Sequence, residues 1–249
     1  LRPQLGLAGF EVKELKPADV VELLRQGTRD LGFAGADRVA EAGLDLPCLL
    51  DTGLDPVRLV AAAPAALCAS GTLAGRRLRV ATEYPNLARA WAQSQGIEAA
   101  IVCTRGATEV FPPEDADLIV DVVASGATLA ANGLVELDTL TASTTRLYTR
   151  AELDGPRLEA AQRFALLLGS VLAARGRVLV ELNVGAERLV EVVDSLPSMR
   201  GPTVANLAGG RGFAVKAAVA RADLVELLPL LVARGATDIL VSKLERVLA

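Results

Sequence analysis

No histidine occurs at any of the 249 positions of this sequence. Without an imidazole there is no Ser-His or Cys-His nucleophile to activate. Cysteine is nearly as scarce: Cys48, Cys68 and Cys103 are widely spaced and form no Cys-x-x-Cys pair. A zinc site is therefore not expected, and an odd, scattered set suits small buried hydrophobes in a reducing compartment. Aromatic residues make up 3% of the chain, so its cores must be built from Ala, Val, Leu and Ile. The net charge is −4 and no dense Lys/Arg block occurs. A nucleic-acid partner, which needs a concentrated cationic surface, is not expected. Long apolar runs are missing as well. The longest, Phe164–Ala174, is closed off by Arg163 and Arg175, short of the ~20 residues a membrane span requires. With no visible export signal, the expectation is a soluble, cytoplasmic protein with no membrane partner.

What remains is 51% hydrophobic and 22% charged, an ordinary composition for a packed globular protein. Along the first part, short β-like runs alternate with helical ones. Strands are expected at Glu11–Leu15, Asp30–Gly35, Leu46–Asp51, Val57–Ala63, Arg77–Thr82, Ala99–Thr104, Leu118–Val123, Leu134–Leu137 and Thr144–Thr149. Helices are expected at Pro17–Thr28, Ala36–Ala42, Asn86–Gln95 and Ala127–Asn132. That alternation predicts an α/β sheet, parallel in large part, divided into two lobes. The expected lobes are 1–63 with 144–155, and 64–143. A helix over 156–175 reads as a connector. Residues 176–249 then follow a β-α-β-β-α-β order, the ferredoxin-like unit.

Ala116–Leu134 (ADLIVDVVASGATLAANGL) is the most informative stretch. A buried strand carries Asp121 near its carboxyl end, the edge where ligands of open α/β sheets collect. The turn Ser125-Gly126-Ala127-Thr128 then opens a helix. Small residues there let a phosphate approach backbone N–H groups, and the hydroxyls of Ser125 and Thr128 can donate further bonds. Asp121 is placed to accept hydrogen bonds from ribose hydroxyls. The same Ser/Gly/Thr sequence also serves as a plain N-cap, and from these residues alone both readings stand.

Asp121 through Leu134 resembles the phosphoribosyl-pyrophosphate loop of the ATP phosphoribosyltransferase family, including the Leu129 and Ala-Asn-Gly-Leu that follow the turn. Further segments resemble that family in the same order. They are Asp30–Asp37 (DLGFAGAD), Leu49–Val60 (LLDTGLDPVRLV), Ala81–Asn86 (ATEYPN, with Glu83 where Lys is frequent) and Gly106–Glu109. Gly201–Val204 and Gly235–Val241 resemble its regulatory domain. The family opens with a strand and a Lys-Gly-Arg loop that have no counterpart after Leu1. The expectation is that this segment belongs to the protein ahead of Leu1, since a lost central strand would expose sheet edges.

The resemblance implies a two-lobed, periplasmic-binding-protein-like catalytic part followed by a ferredoxin-like regulatory domain. It implies a reaction in which N1 of ATP displaces pyrophosphate from C1′ of phosphoribosyl pyrophosphate, assisted by Mg²⁺, with L-histidine as feedback inhibitor. On that basis Asp121 holds the ribose, and Ser125, Gly126, Ala127, Thr128 and Leu129 hold the 5′-phosphate. Gly35, Asp51 and Glu109 are candidates on the nucleotide side, where Gly35 also reads as a residue kept for backbone freedom and the acids as caps or solvated charges. Asn183, Thr203 and Asp238 are candidates near histidine. Assembly of dimers into hexamers is implied too. A catalytically inactive histidine-binding subunit and a small-molecule binding protein are the alternatives.

Overall fold

The computed structural model describes residues 3, 5–69 and 71–248. The chain divides into two compact units, Leu1–Gln162 and Arg163–Ala249. In chain order the first contains α1 (Pro17–Arg25), β1 (Leu31–Gly35), α2 (Ala36–Glu41), β2 (Cys48–Pro64), α3 (Ala65–Ala69) and β3 (Arg77–Thr82). It continues with α4 (Pro85–Ser94), β4 (Glu98–Cys103), β5 (Leu118–Val123), α5 (Ala127–Ala131) and β6 (Leu134–Thr149). Helix α6 spans Gly155–Arg175, so the boundary between the units falls inside it.

The helices start where the sequence supplies the means. Pro17 stands in the first turn of α1 with Asp19 behind it, and Arg25 closes the last turn, complementing the helix dipole. Pro85 opens α4 in the same way. No helix among the described residues is long and apolar enough to cross a membrane.

One six-stranded sheet runs β1-β6-β2-β5-β3-β4. Among the described residues only β3 pairs in parallel, with β4 and with β5. The ladders β1–β6, β6–β2 and β2–β5 are antiparallel. The sheet is thus less parallel than the alternation of elements predicts, for a local reason. The sequence around Thr52-Gly53-Leu54-Asp55-Pro56 reads as a break between two strands, yet the structure carries β2 through it. Register shifts between Asp51/Leu54 and Leu54/Val57 absorb the extra residues, with Gly53 and Asp55 both at positive φ. Bulges of this kind bend a strand without ending it. The expected strands 134–137 and 144–149 likewise merge into β6. Glu11–Leu15, expected as a strand, joins no ladder among the described residues.

Residues 59–63 of β2 are buried on both faces. Leu59, Ala61 and Ala63 enter one core with Leu78, Val80, Leu118, Val120, Tyr84 and Trp91. Val60 and Ala62 enter the opposite core with Ala81, Ile119, Val123, Leu129 and Leu134. The strict alternation explains why this strand reads as an unbroken apolar run. Its small alanines leave room for the helices that cover it.

The second unit contains β7 (Arg177–Val184), α7 (Leu189–Asp194), β8 (Thr203–Asn206), β9 (Phe213–Ala220), α8 (Leu224–Ala233) and β10 (Thr237–Lys243). Its sheet, ordered β10-β7-β9-β8, is antiparallel throughout. This is the ferredoxin-like arrangement expected from the β-α-β-β-α-β order. Val178, Val180, Leu182 and Val184 of β7 pack with Val192, Leu196, Leu227 and Leu231 of the helical layer. The period of two turns Leu179, Glu181 and Asn183 to the other face of the sheet.

Candidate functional site

The first site is assembled where β5 passes into α5. Asp121 lies within β5, opposite Val60 of β2. Beyond the strand, Gly126 takes φ +76°, a left-handed conformation that L side chains adopt only at a cost. A Cβ at this glycine would also lie 3.4 Å from Glu136 Oε1. Asp121, Ser125, Gly126, Thr128 and Leu129 line a cavity of about 200 Å³, together with Glu109. Six of the sequence-predicted residues thus come together. Ala127, the remaining member of the turn, is not among the lining residues; its N–H donates to Ser125 Oγ at 3.4 Å.

Burial pushes the Asp121 carboxyl above its ordinary value. The Val122 N–H, at 2.7 Å from Oδ1, and the Thr108 hydroxyl pull the other way, while Glu83 and Glu109 reinforce the rise. Thr108 is itself buried and shares a 2.9 Å hydrogen bond with Thr104. A desolvated carboxylate held by a backbone amide and a hydroxyl is built to accept hydrogen bonds from a ligand's hydroxyl groups.

Ala124 also lines a second cavity of about 390 Å³, shared with Asp51, Pro56, Val57, Arg58, Ser143, Thr144 and Arg146. Asp51 accepts from the Thr144 hydroxyl at 2.7 Å, the Gly53 N–H at 3.0 Å and Arg146 Nε at 2.9 Å. The Thr144 bond, then the Gly53 N–H and Arg146, hold its carboxyl below the usual value. Arg58 makes a two-pronged ion pair with Glu136, Nη1 to Oε2 at 2.7 Å and Nη2 to Oε1 at 2.8 Å. Its Nη1 also donates to Thr139 Oγ1 at 3.1 Å.

Next to this cavity is a buried polar cluster. Asp37, 6% exposed, accepts from Tyr84 OH at 2.6 Å and from Ser143 Oγ at 2.5 Å. Its own N–H donates to the same Ser143 oxygen at 3.0 Å. A Cβ on Gly35 would collide with the Asp37 carboxylate. Gly35 has φ −66°, which any residue adopts, so this position is kept clear for a carboxylate rather than for backbone freedom. Arg38 lies 4.1 Å over the Tyr84 ring and pairs with Glu83 at 2.8 Å. Sequence reasoning did not single out Asp37, Tyr84, Ser143, Arg58 or Glu136. The available signal was Asp37 itself, a charge closing the apolar run DLGFAGAD.

In the second unit Asn183, Thr203 and Asp238 line one cavity of about 460 Å³. Asp238 sits at the register shift between Thr237 and Leu240, with φ +50°. Its Oδ2 accepts from Asn183 Nδ2 at 2.9 Å and from Thr237 Oγ1 at 3.1 Å. Lys216 and Glu181, paired at 2.7 Å, line the same cavity. It therefore offers an amide, a hydroxyl and both signs of charge, a set able to hold a zwitterion.

Among the described residues no group of three or more His, Cys, Asp or Glu side chains could hold a metal ion. Asp121 and Glu109 supply two carboxylates to one cavity and do not complete a metal site by themselves.

Residues 16–167 match the family model described as ATP phosphoribosyltransferase, and residues 174–246 match the model described as HisG, C-terminal domain. The chain is 37% identical to the ATP phosphoribosyltransferase of Halorubrum lacusprofundi, over 93% of this chain and 83% of that protein. It is 36% identical to the ATP phosphoribosyltransferase of Methanopyrus kandleri, over 96% of this chain and 84% of the relative. Among solved structures, the ATP phosphoribosyl transferase (HisG:HisZ) complex from Thermotoga maritima superposes with a TM-score of 0.58. The identity there is 28%, over 64% of this chain and 78% of that one.

Proposed function

The chain belongs to the ATP phosphoribosyltransferase family, pentosyltransferases that catalyse the first step of histidine biosynthesis, and on that premise we propose how its residues divide the work. The carrying observation is that Asp121 shares one cavity with Ser125, Gly126 and Thr128 of the turn that follows β5. In our reading the turn receives the 5′-phosphate of phosphoribosyl pyrophosphate, and Asp121 accepts hydrogen bonds from the ribose hydroxyls. The adjoining cavity receives the nucleotide beside Asp51 and Arg146. N1 of the adenine forms a bond to C1′, and the C1′–O bond to pyrophosphate breaks with its electron pair going to the leaving group. No protein nucleophile is needed, in keeping with a chain that has no histidine. Catalysis then rests on holding two anionic substrates in line and on amide, hydroxyl and guanidinium donors facing the charge that develops.

Mg²⁺, which the family resemblance implies, does not find a full ligand set in Asp121 and Glu109. In the second unit we assign the cavity of Asn183, Thr203 and Asp238 to L-histidine. The ligand carboxylate would meet Lys216 and the Thr203 hydroxyl, and its ammonium would meet Asp238 or Glu181. Assembly of dimers into hexamers and a cytoplasmic location are carried over from the same resemblance.

The test is the rate of phosphoribosyl-ATP formation from ATP and phosphoribosyl pyrophosphate, measured with and without millimolar L-histidine. Turnover suppressed by histidine supports both assignments. Turnover indifferent to histidine overturns the sensor, and histidine binding without turnover overturns the catalytic reading in favour of a regulatory subunit.

A further inference from the structure

Arg58 and Glu136 are far apart in sequence, on β2 and β6, yet their ion pair stands beside the glycine turn. Arg58 is the direct ladder partner of Val123, three residues before Gly126, and it lines the cavity that adjoins the turn through Ala124. From the other side, Glu136 Oε1 comes within 3.4 Å of where a Cβ on Gly126 would be. A carboxylate this close to the turn would repel a phosphate if it stood alone. Arg58 neutralises it through both terminal nitrogens and adds a bond to Thr139.

How the guanidinium is used matters more than its charge. A guanidinium carries five N–H donors in a planar fork. Glu136 and Thr139 take three of them, all from Nη1 and Nη2. The Nε–H and the second Nη2 hydrogen, which together form the side edge of the fork, are donated to no described residue. That edge matches two oxygens of a phosphate, the arrangement in which arginine binds this group most strongly. The side chain is also partly open to solvent, at 41% exposure.

We propose that Arg58 is a substrate-binding residue. Glu136 and Thr139 hold its guanidinium by the end, so that its side edge receives the phosphate bound at the Ser125–Thr128 turn. Glu136 is then a positioning residue that touches no substrate. The proposal rests on the reading of that turn as the phosphate site, and its test separates the two.

Ribose 5-phosphate is titrated calorimetrically into the full chain at low and high salt, and the KM for each substrate is measured. Arg58→Gln is expected to weaken ribose 5-phosphate by about tenfold or more, as loss of a charge-assisted bond does. It should also flatten the salt dependence and raise the KM for phosphoribosyl pyrophosphate far more than that for ATP. Arg58→Lys, which keeps the charge and loses the fork, should recover only part of the affinity. A double variant, Ser125→Ala with Thr128→Val, reports on the turn alone. If that variant binds weakly while Arg58→Gln binds like the parent, the role of Arg58 is overturned and the turn stands. If both bind like the parent, the turn reading falls and the proposal with it. Should Arg58→Gln fail to fold, Arg58→Lys decides: affinity equal to the parent's overturns the fork.

Discussion

The Tyr84 hydroxyl donates to Asp37 Oδ2 at 2.6 Å across 47 residues of sequence, and the neighbouring Arg38 covers the tyrosine ring. Burial, and then the bond to Asp37, push the phenol well above its ordinary range, so it stays a proton donor at any working pH. With Ser143 on the other carboxylate oxygen, the start of α2 is tied to the turn before α4 and to β6.

Tyr84→Phe removes one donor from a buried carboxylate and leaves its shape intact. The expected loss is about 1.5–3 kcal/mol, the usual range for a bond to a charged group. Urea unfolding measures it. A loss below about 0.5 kcal/mol would mean that Ser143 and water carry the carboxylate without the phenol.

Asp121→Asn should separate stability from activity. Because burial raises the Asp121 pKa in the folded state, the native protein binds this proton more tightly than the unfolded chain. Stability therefore falls as pH rises from the unfolded-state value through the raised native one, and the penalty is complete above it. The neutral amide escapes that penalty. At pH 7 the variant should therefore melt at a higher temperature than the parent. Its kcat/KM for phosphoribosyl pyrophosphate should fall by about tenfold or more. A variant less stable than the parent at pH 7 would contradict the desolvation argument.

Gly126→Ala places a Cβ at φ +76° and 3.4 Å from Glu136 Oε1. We expect a loss of about 1–2 kcal/mol from the left-handed backbone, together with a raised KM for phosphoribosyl pyrophosphate. Gly133→Ala, also at positive φ but with nothing within 4 Å, is the control. It should lose similar stability and bind substrate normally.

Glu41 receives the N–H groups of Asn86 and Leu87 at 2.9 Å each. It thereby caps α4, whose N-cap residue Tyr84 has no side-chain cap of its own. Glu41→Ala should cost about 1 kcal/mol, as loss of a helix N-cap does, read from thermal unfolding. Glu41→Gln, with one oxygen left to accept, should cost less.

In the second unit, Asp238→Asn removes a charge from the cavity while leaving an oxygen for the Asn183 amide. The L-histidine concentration for half inhibition should rise by roughly tenfold, the loss expected for a charge-assisted contact. Unchanged inhibition would move the sensor elsewhere.

Local features were the legible ones. Asp121 and the Ser125–Thr128 turn lie within eight residues of each other, and the ferredoxin-like order follows from periodicity along a short stretch. Asn183, Thr203 and Asp238 were found through resemblance, and the fold brings them to one cavity. What could not be read were pairings fixed by register. Arg58 meets Glu136 because β2 and β6 remain one ladder through several shifts, and no sequence pattern announces where a bulge will absorb a residue. Asp37 escaped notice because its burial depends on Tyr84 and Ser143, each supplied by another element.

The aromatic side chains are distributed unevenly between the units. The single tryptophan, Trp91, is buried in the first unit's core, and its indole N–H donates to Asp138 at 2.9 Å. Both tyrosines, Tyr84 and Tyr148, belong to that unit as well. Tryptophan and tyrosine fluorescence therefore reports on the first unit alone, while far-ultraviolet dichroism sees the helices and strands of both. Monitored together in one melt, the two signals separate if the units unfold independently and coincide if they unfold as one.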